Sequence, residues 1–249
     1  MATDAYESGI PYLKGHGTQN DFVLIPDPQA CVTLTPALVA AICDRRAGVG
    51  ADGVLRVVPS TAEPDAADMA DEARWFMDYR NADGGMPEMC GNGIRVFARY
   101  LVEAGLVEPG PLRVATRGGV KHVTFASDGA VTADMGPATF PGPQDATVRV
   151  GERSWPAVTV SMGNPHAVVF VDDLAEAGPL YAMPAVGPES AFPDGVNVEF
   201  VVDRDLGHVA MRVHERGVGE TRSCGTGACA VAAAAARRHG QQAPTAYTV

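Results

Sequence analysis

Met89-Cys90-Gly91-Asn92-Gly93 leads into Ile94-Arg95-Val96-Phe97-Ala98-Arg99-Tyr100-Leu101, and Ser223-Cys224-Gly225-Thr226-Gly227 leads into Ala228-Cys229-Ala230-Val231 and a run of alanines. Each is a Cys-Gly-x-Gly turn opening a helix of almost wholly apolar or small residues. A helix without a polar stripe belongs in the middle of a fold rather than on its surface. Two such units, with cysteines 134 positions apart, mark an internal duplication. The fold read from this is α/β, more closely α+β. It has two pseudo-symmetric halves, each a mainly antiparallel curved sheet around a central apolar helix.

Outward from the turns, Ile10 to Leu13 and Phe22 to Ile25 read as strands around the turn-like Gly15-His16-Gly17-Thr18-Gln19-Asn20. A helix is predicted from Thr35 to Asp44, with Pro36 suited to its first turn. Val54 to Val58 and Trp75 to Tyr79 follow as strands, and the acidic stretch Thr61 to Asp71 between them reads as a surface loop or short helix. After the first helix come Leu112 to Thr116, Lys121 to Ala126 and Ala130 to Met135. After the second there is only Tyr247-Thr248-Val249. The boundary is expected near Met135-Gly136-Pro137, giving halves 1–135 with Cys90 and 136–249 with Cys224. By this symmetry the second half lacks about two terminal strands, which would leave a sheet edge or an apolar face uncovered.

Composition narrows the function classes. A formal net charge of −11 speaks against nucleic acid and against an anionic membrane surface as partners. The longest apolar run, Ala228 to Ala236, falls far short of the roughly 20 residues that span a bilayer. Met1 to Gly9 is polar and acidic, unlike a secretion signal, so a cytoplasmic protein is expected. Five scattered cysteines (Cys31, Cys43, Cys90, Cys224 and Cys229) are no disulfide framework, and no Cys-x-x-Cys spacing supports zinc. With Lys14 and Lys121 the only lysines, neither in a suggestive setting, amino-acid chemistry without pyridoxal phosphate is the natural reading: no cofactor and no metal.

A helix N-terminus presents unpartnered N–H groups and the positive end of the helix dipole. It binds a carboxylate and lowers the pKa of a thiol placed there from about 8.5. Two such turns supply two carboxylate clamps and two sulfurs. Inverting an α-carbon needs a base on one face and an acid on the other, which a thiolate and a thiol provide. Clamped carboxylate charge then stabilises the carbanion. Taken singly, each cysteine reads better as a small core residue, and it is the matched pair that favours the reactive reading.

The chain resembles the diaminopimelate epimerase family over nearly its whole length. Seven ordered blocks carry the likeness: His16 to Phe22, Cys43-Asp44-Arg45-Arg46 through Gly50-Ala51-Asp52-Gly53, Asn81 to Gly84, Glu88 to Gly93, Met162 to His166, Gly195 to Val198, and Glu215 to Thr221 running into Cys224-Gly225-Thr226-Gly227. The resemblance implies interconversion of LL- and meso-diaminopimelate, in lysine and peptidoglycan synthesis. It implies catalytic Cys90 and Cys224, with His166 and Glu215 tuning them. Gly91, Asn92, Gly225 and Thr226 would bind the reacting carboxylate. Asn20, Asn81, Asn164, Asn197, Glu215 and Arg216 would hold the rest. The resemblance leaves a homodimer open. Many members carry glutamine where Gly53 stands here, and members continue beyond the position of Val249.

Rivals are a racemase for another amino acid such as proline, a thiol-redox protein pairing Cys90 with Cys224, and an amino-acid-binding module that uses the clamps but not the sulfurs. Gly48-Val49-Gly50-Ala51-Asp52-Gly53 matches G-x-G-x-x-G by letter. With a helix before it and a strand after, its order is the reverse of a dinucleotide site.

Overall fold

The computed structural model describes residues 9–143, 145–241 and 245–249, so nearly all of the opening segment read above for a secretion signal lies outside the described residues. The chain divides into two compact units, Met1–Asp134 and Met135–Val249. Among the described residues no helix is long and apolar enough to cross a membrane.

In the first unit the described elements are β1 (Leu13–Gly17), β2 (Asn20–Pro26), α1 (Pro36–Cys43), β3 (Gly53–Pro59), β4 (Trp75–Asn81), α2 (Gly91–Glu103), β5 (Leu112–Thr116), β6 (Gly119–Phe125) and β7 (Val131–Ala133). The strands form one seven-stranded sheet in sequence order. Only β2 with β3 and β4 with β5 run parallel; the other neighbours are antiparallel. Helix α2 packs against both edge strands, β1 and β7, as well as strands between them, so the sheet curls around it. Strand β1 begins at Leu13 rather than Ile10, and Gly15-His16-Gly17 belongs to it. The turn tightens to Thr18-Gln19, whose φ of 54° and 64° suit a two-residue hairpin.

Alternation along the central strands buries both faces. Phe22, Leu24, Leu55 and Val57 meet α2, while Val23, Ile25 and Val54 meet the α1 side. Thr35 caps α1 through its side chain, as its position suggested. Helix α1 ends at Cys43 with Asp44 as its C-cap, and the G-x-G-x-x-G look-alike lies in the loop beyond it, where Gly50 has φ 77° and its N–H donates back to Ile42 O. The acidic stretch after β3 forms short 3₁₀ turns, Ser60–Ala62 and Pro64–Met69, rather than an open loop. Ion pairs tie it down, from Glu63 to Arg56 and from Asp65 to Arg117.

In the second unit the described elements are β8 (Thr147–Val150), β9 (Arg153–Pro156), β10 (Val158–Ser161), β11 (Pro165–Phe170), β12 (Ala185–Gly187), β13 (Asn197–Asp205), β14 (His208–Glu215), β15 (Gly219–Thr221) and α3 (Gly225–Arg238). A five-stranded sheet β10-β11-β13-β14-β15 carries α3 on one face, and a three-stranded sheet β12-β8-β9 stands apart in the pairing. The run β10 to β14 repeats β1 to β4: antiparallel, then parallel, then antiparallel. The repeat extends to the chain's last residues. Thr248 makes a parallel bridge to His208 at the start of β14, as Val114 of β5 pairs with Trp75 at the start of β4. Helix α3 buries Ala230, Val231, Ala234 and Ala235, whereas Ala232, Ala233 and Ala236 line an open groove of about 880 Å³. The apolar sequence predicts a wholly buried helix, whereas among the described residues Ala232, Ala233 and Ala236 are only half-buried.

Candidate functional site

Cys90 is the N-cap of α2 and Cys224 the N-cap of α3, both with extended backbone (φ −134°, ψ 116° and φ −123°, ψ 120°). Each sulfur accepts the amide of the third helical residue, Gly93 N–H and Gly227 N–H, at 3.3 Å in both cases. The thiol therefore stands where a serine or aspartate oxygen ordinarily caps a helix. The amides of Gly91 and Asn92, and of Gly225 and Thr226, lie in first turns that offer no intrahelical acceptor. Such amides are the kind of donors that an anion at a helix N-terminus uses.

In the first unit Asn20, the first residue of β2, turns its Oδ1 toward the helix. It accepts from Asn92 Nδ2 at 3.3 Å and faces Cys90 Sγ at 3.9 Å. Its Nδ2 donates to Asp52 Oδ2 at 2.7 Å, and Arg45 bonds Asp52 and Asp21 in turn. Asp21 lies partly buried, which raises its pKa, yet hydrogen bonds from Arg45 and Lys14 hold it well below the usual carboxylate range. Thr18 and Arg95 fix the other side of Asn92 by bonding its Oδ1. Asn81, at the end of β4, accepts the Tyr79 hydroxyl at 2.7 Å. At Gly53 a Cβ would lie 2.5 Å from Arg80 O and 2.7 Å from Tyr79 Cε2. The position can hold no side chain, and the Tyr79 ring occupies the space.

In the second unit Asn164, two residues before His166 as Asn20 is two before Phe22, donates from Nδ2 to Thr226 Oγ1 at 3.3 Å. Thr226 Oγ1 lies 3.4 Å from Cys224 Sγ. Asn164 Oδ1 faces His166 Nε2 at 3.0 Å, and His166 Nδ1 lies 2.6 Å from Glu199 Oε1. His166 thus reaches this sulfur through Asn164 and Thr226 rather than by contact. Asn197 is used as a clip: its Nδ2 donates to Pro165 O at 3.1 Å and its Oδ1 accepts from Arg216 N at 2.9 Å. The exposed Arg216 side chain donates to Asp194 O at 3.1 Å, and Glu215 accepts the Thr221 hydroxyl. Burial pushes the Cys224 thiol well up, and the nearby Glu215 and Glu199 carboxylates push it further. The helix N-terminus led us to expect the opposite direction. The thiol is 6% exposed and loses more by desolvation than the cap returns.

Of the sequence-predicted residues, Asn20 and Asn92 bond at the Cys90 turn, and Asn164, His166 and Thr226 form a chain to Cys224, whereas the bonds described above for Asn81, Asn197 and Arg216 go to other residues. Glu199, Asp52 and Tyr79 were missed. For Glu199 the signal was present: one carboxylate in the apolar run Val196-Asn197-Val198-Glu199-Phe200-Val201-Val202.

The family model described as diaminopimelate epimerase matches residues 12–141 and 158–249. A diaminopimelate epimerase from Streptomyces coelicolor is 64% identical over 245 residues, covering 96% of this chain and 84% of the relative. One from Thermobifida fusca is 52% identical over 228 residues, covering 90% of this chain and 82% of the relative. Among solved structures, a hydroxyproline epimerase from Agrobacterium vitis shares the fold, with a TM-score of 0.62 at 16% identity, over 94% of this chain and 78% of that one. A probable proline racemase from Agrobacterium radiobacter is alike, at 0.62 and 18% identity, over 96% and 80%. With two matched cysteine-capped helices and this similarity along nearly its whole length, the chain belongs to the diaminopimelate epimerase family.

Proposed function

We propose that the protein interconverts LL-2,6-diaminopimelate and meso-diaminopimelate by moving a proton at one α-carbon between Cys90 and Cys224. The observation that carries this reading is the matched pair of caps, each placing a sulfur 3.3 Å from the third amide of a helix. One sulfur, as thiolate, takes the α-proton. The electron pair left on carbon delocalises into the adjacent carboxylate, whose charge the first-turn amides accept. The other sulfur, as thiol, delivers its proton to the opposite face and becomes the thiolate. The two sulfurs have then exchanged roles, and the reverse reaction restores them. No other reagent is consumed.

Asn20, Asn81, Asn164, Asn197, Glu215 and Arg216 are the residues we assign to the rest of the substrate. Arg216 matches the distal carboxylate, since a guanidinium can hold it with two parallel bonds. His166 and Glu215 adjust the sulfurs. The step feeds lysine and peptidoglycan synthesis in the bacterial cytoplasm.

The test is proton NMR of LL-diaminopimelate in D₂O with reduced protein. Loss of the α-proton signal with appearance of the meso isomer is expected. Folded protein that exchanges no α-proton would sink the reading.

A further inference from the structure

The duplication allows residue-by-residue comparison of what supports each cysteine. In the first unit Phe22 pairs with Gly53 across β2 and β3, and Leu55 lies two residues beyond Gly53. In the second, His166 pairs with Asn197 across β11 and β13, and Glu199 lies two residues beyond Asn197. Period-two alternation puts all four side chains on the helix side of their sheets. The contacts agree. A Cβ on Gly93 would meet Leu55 Cδ2 at 3.1 Å, and a Cβ on Gly227 would meet Glu199 Oε1 at 2.8 Å. The seat against the first turn of the helix is thus filled by an apolar pair beside Cys90 and by an imidazole and a carboxylate beside Cys224.

That substitution is expensive. His166 and Glu199 are both fully buried, and Glu199 Oε2 has no hydrogen-bond partner among the described residues. A buried carboxylate oxygen left without a bond destabilises the fold unless another role retains it. Its one observed connection runs toward the sulfur, from Glu199 to His166, Asn164, Thr226 and Cys224.

We propose that Glu199 is a positioning residue which, through His166, aligns the Cys224 thiol and sets the carboxylate end of the buried His166–Glu199 pair against the first turn of α3, so that the two sulfurs are electrostatically unequal. The carboxylate offsets part of the positive end of the α3 dipole, which Leu55 leaves untouched in α2. Cys224 is thereby the sulfur that holds its proton more firmly. The groups facing Cys224 are Glu215 from β14, Glu199 from β13 with His166 from β11 bonded to it, and Thr226 and the amides of α3. The direction in which burial, Glu215 and Glu199 move this thiol is consistent with that assignment. The role as part of proton transfer rests on the epimerase reading; the effect on the thiol does not.

The test compares wild-type protein with Glu199→Gln and with the double variant His166→Phe/Glu199→Leu, which installs the pair found beside Cys90. Iodoacetamide alkylation of each cysteine is followed against pH by mass spectrometry, with circular dichroism to check folding. The midpoint for Cys224 should fall by about one pH unit in both variants while that of Cys90 stays in place. The kcat for diaminopimelate should fall roughly tenfold, with little change in KM. A Cys224 midpoint within about 0.2 unit of wild type in a folded variant overturns the proposal, whatever happens to turnover. If the midpoint shifts but wild-type protein exchanges no α-proton, the electrostatic role stands and the substrate reading falls.

Discussion

Against the first turn of α2 lies Leu55, and against the first turn of α3 lies Glu199. The turns themselves are alike in backbone angles, in the sulfur-to-amide bond and in the polar residue two places on, Asn92 or Thr226, that meets an asparagine at 3.3 Å. They differ in where the charge is kept. The Cys90 network leads outward, through Asn20 and Asp52, to Arg45, whose side chain is 58% exposed. The Cys224 network leads inward, to a carboxylate and an imidazole with no exposure. Duplication has preserved the capping device, which is local and tolerant of its surroundings. The supporting residues have diverged, and they decide how each sulfur behaves.

The strongest way to break the comparison is to remove the sulfurs. Cys90→Ala and Cys224→Ala should each lower turnover by about a thousandfold or more, because no neighbouring group replaces the lost base or acid. Loss of the cap should cost each fold only about 1 kcal/mol. Exchange in D₂O, read beside thermal melts, checks both. Full activity in either variant would show that one half alone performs the chemistry.

Buried and exposed charge can also be contrasted within the first unit. Asp78 is fully buried and accepts from Arg80 at 2.7 Å and from Arg117 at 2.6 Å. Asp78→Ala takes the carboxylate from Arg80 and, among the described residues, leaves Arg117 only its ion pair with Asp65, and should destabilise by about 3–5 kcal/mol. Arg45→Ala, at an exposed cluster, should cost less than about 1 kcal/mol. Burial raises the Asp78 pKa, but bonds from Arg80 and Arg117 outweigh it and leave the group below its ordinary value. Its stabilisation is therefore complete above the unfolded carboxylate value of about 4 and is lost as pH falls through the depressed folded value. Urea unfolding at pH 7, 4 and 3 should show that loss in wild type and a flatter profile in Asp78→Asn.

How much of this could be read from sequence follows from how local each feature is. The Cys-Gly-x-Gly turns were legible because cap, glycines and apolar helix are contiguous, and the repeat gave the pairing of halves. Thr35 marked the start of α1 for the same reason. The hairpin was misplaced because Thr18 and Gln19, neither a usual left-handed residue, make its turn, while Gly15 and Gly17 drew attention away. Glu199, Arg56 and Asp78 share another signature, one charge within a run of strand residues that is otherwise apolar or aromatic. What that charge contacts depends on strand register and on the opposite face, information a single strand does not contain. Tyr79 over Gly53 is likewise a cross-strand contact, visible only once β3 and β4 are aligned.

The smallest expected effect tests the comparison most finely. Gly93 and Gly227 occupy the same third helical position, and alanine there gains about 1 kcal/mol in helix propensity. In Gly93→Ala the new methyl meets Leu55 Cδ2 at 3.1 Å, the end of an apolar side chain that can shift by a few tenths of an ångström. In Gly227→Ala it meets Glu199 Oε1 at 2.8 Å, and that oxygen is held by His166 inside a closed core. Gly93→Ala should therefore be near neutral, and Gly227→Ala should destabilise by about 1–3 kcal/mol. Differential scanning calorimetry on the two variants decides it. Equal melting temperatures would mean that Glu199 can retreat from the turn, and the rigid carboxylate on which the inequality of the two sulfurs depends would be gone.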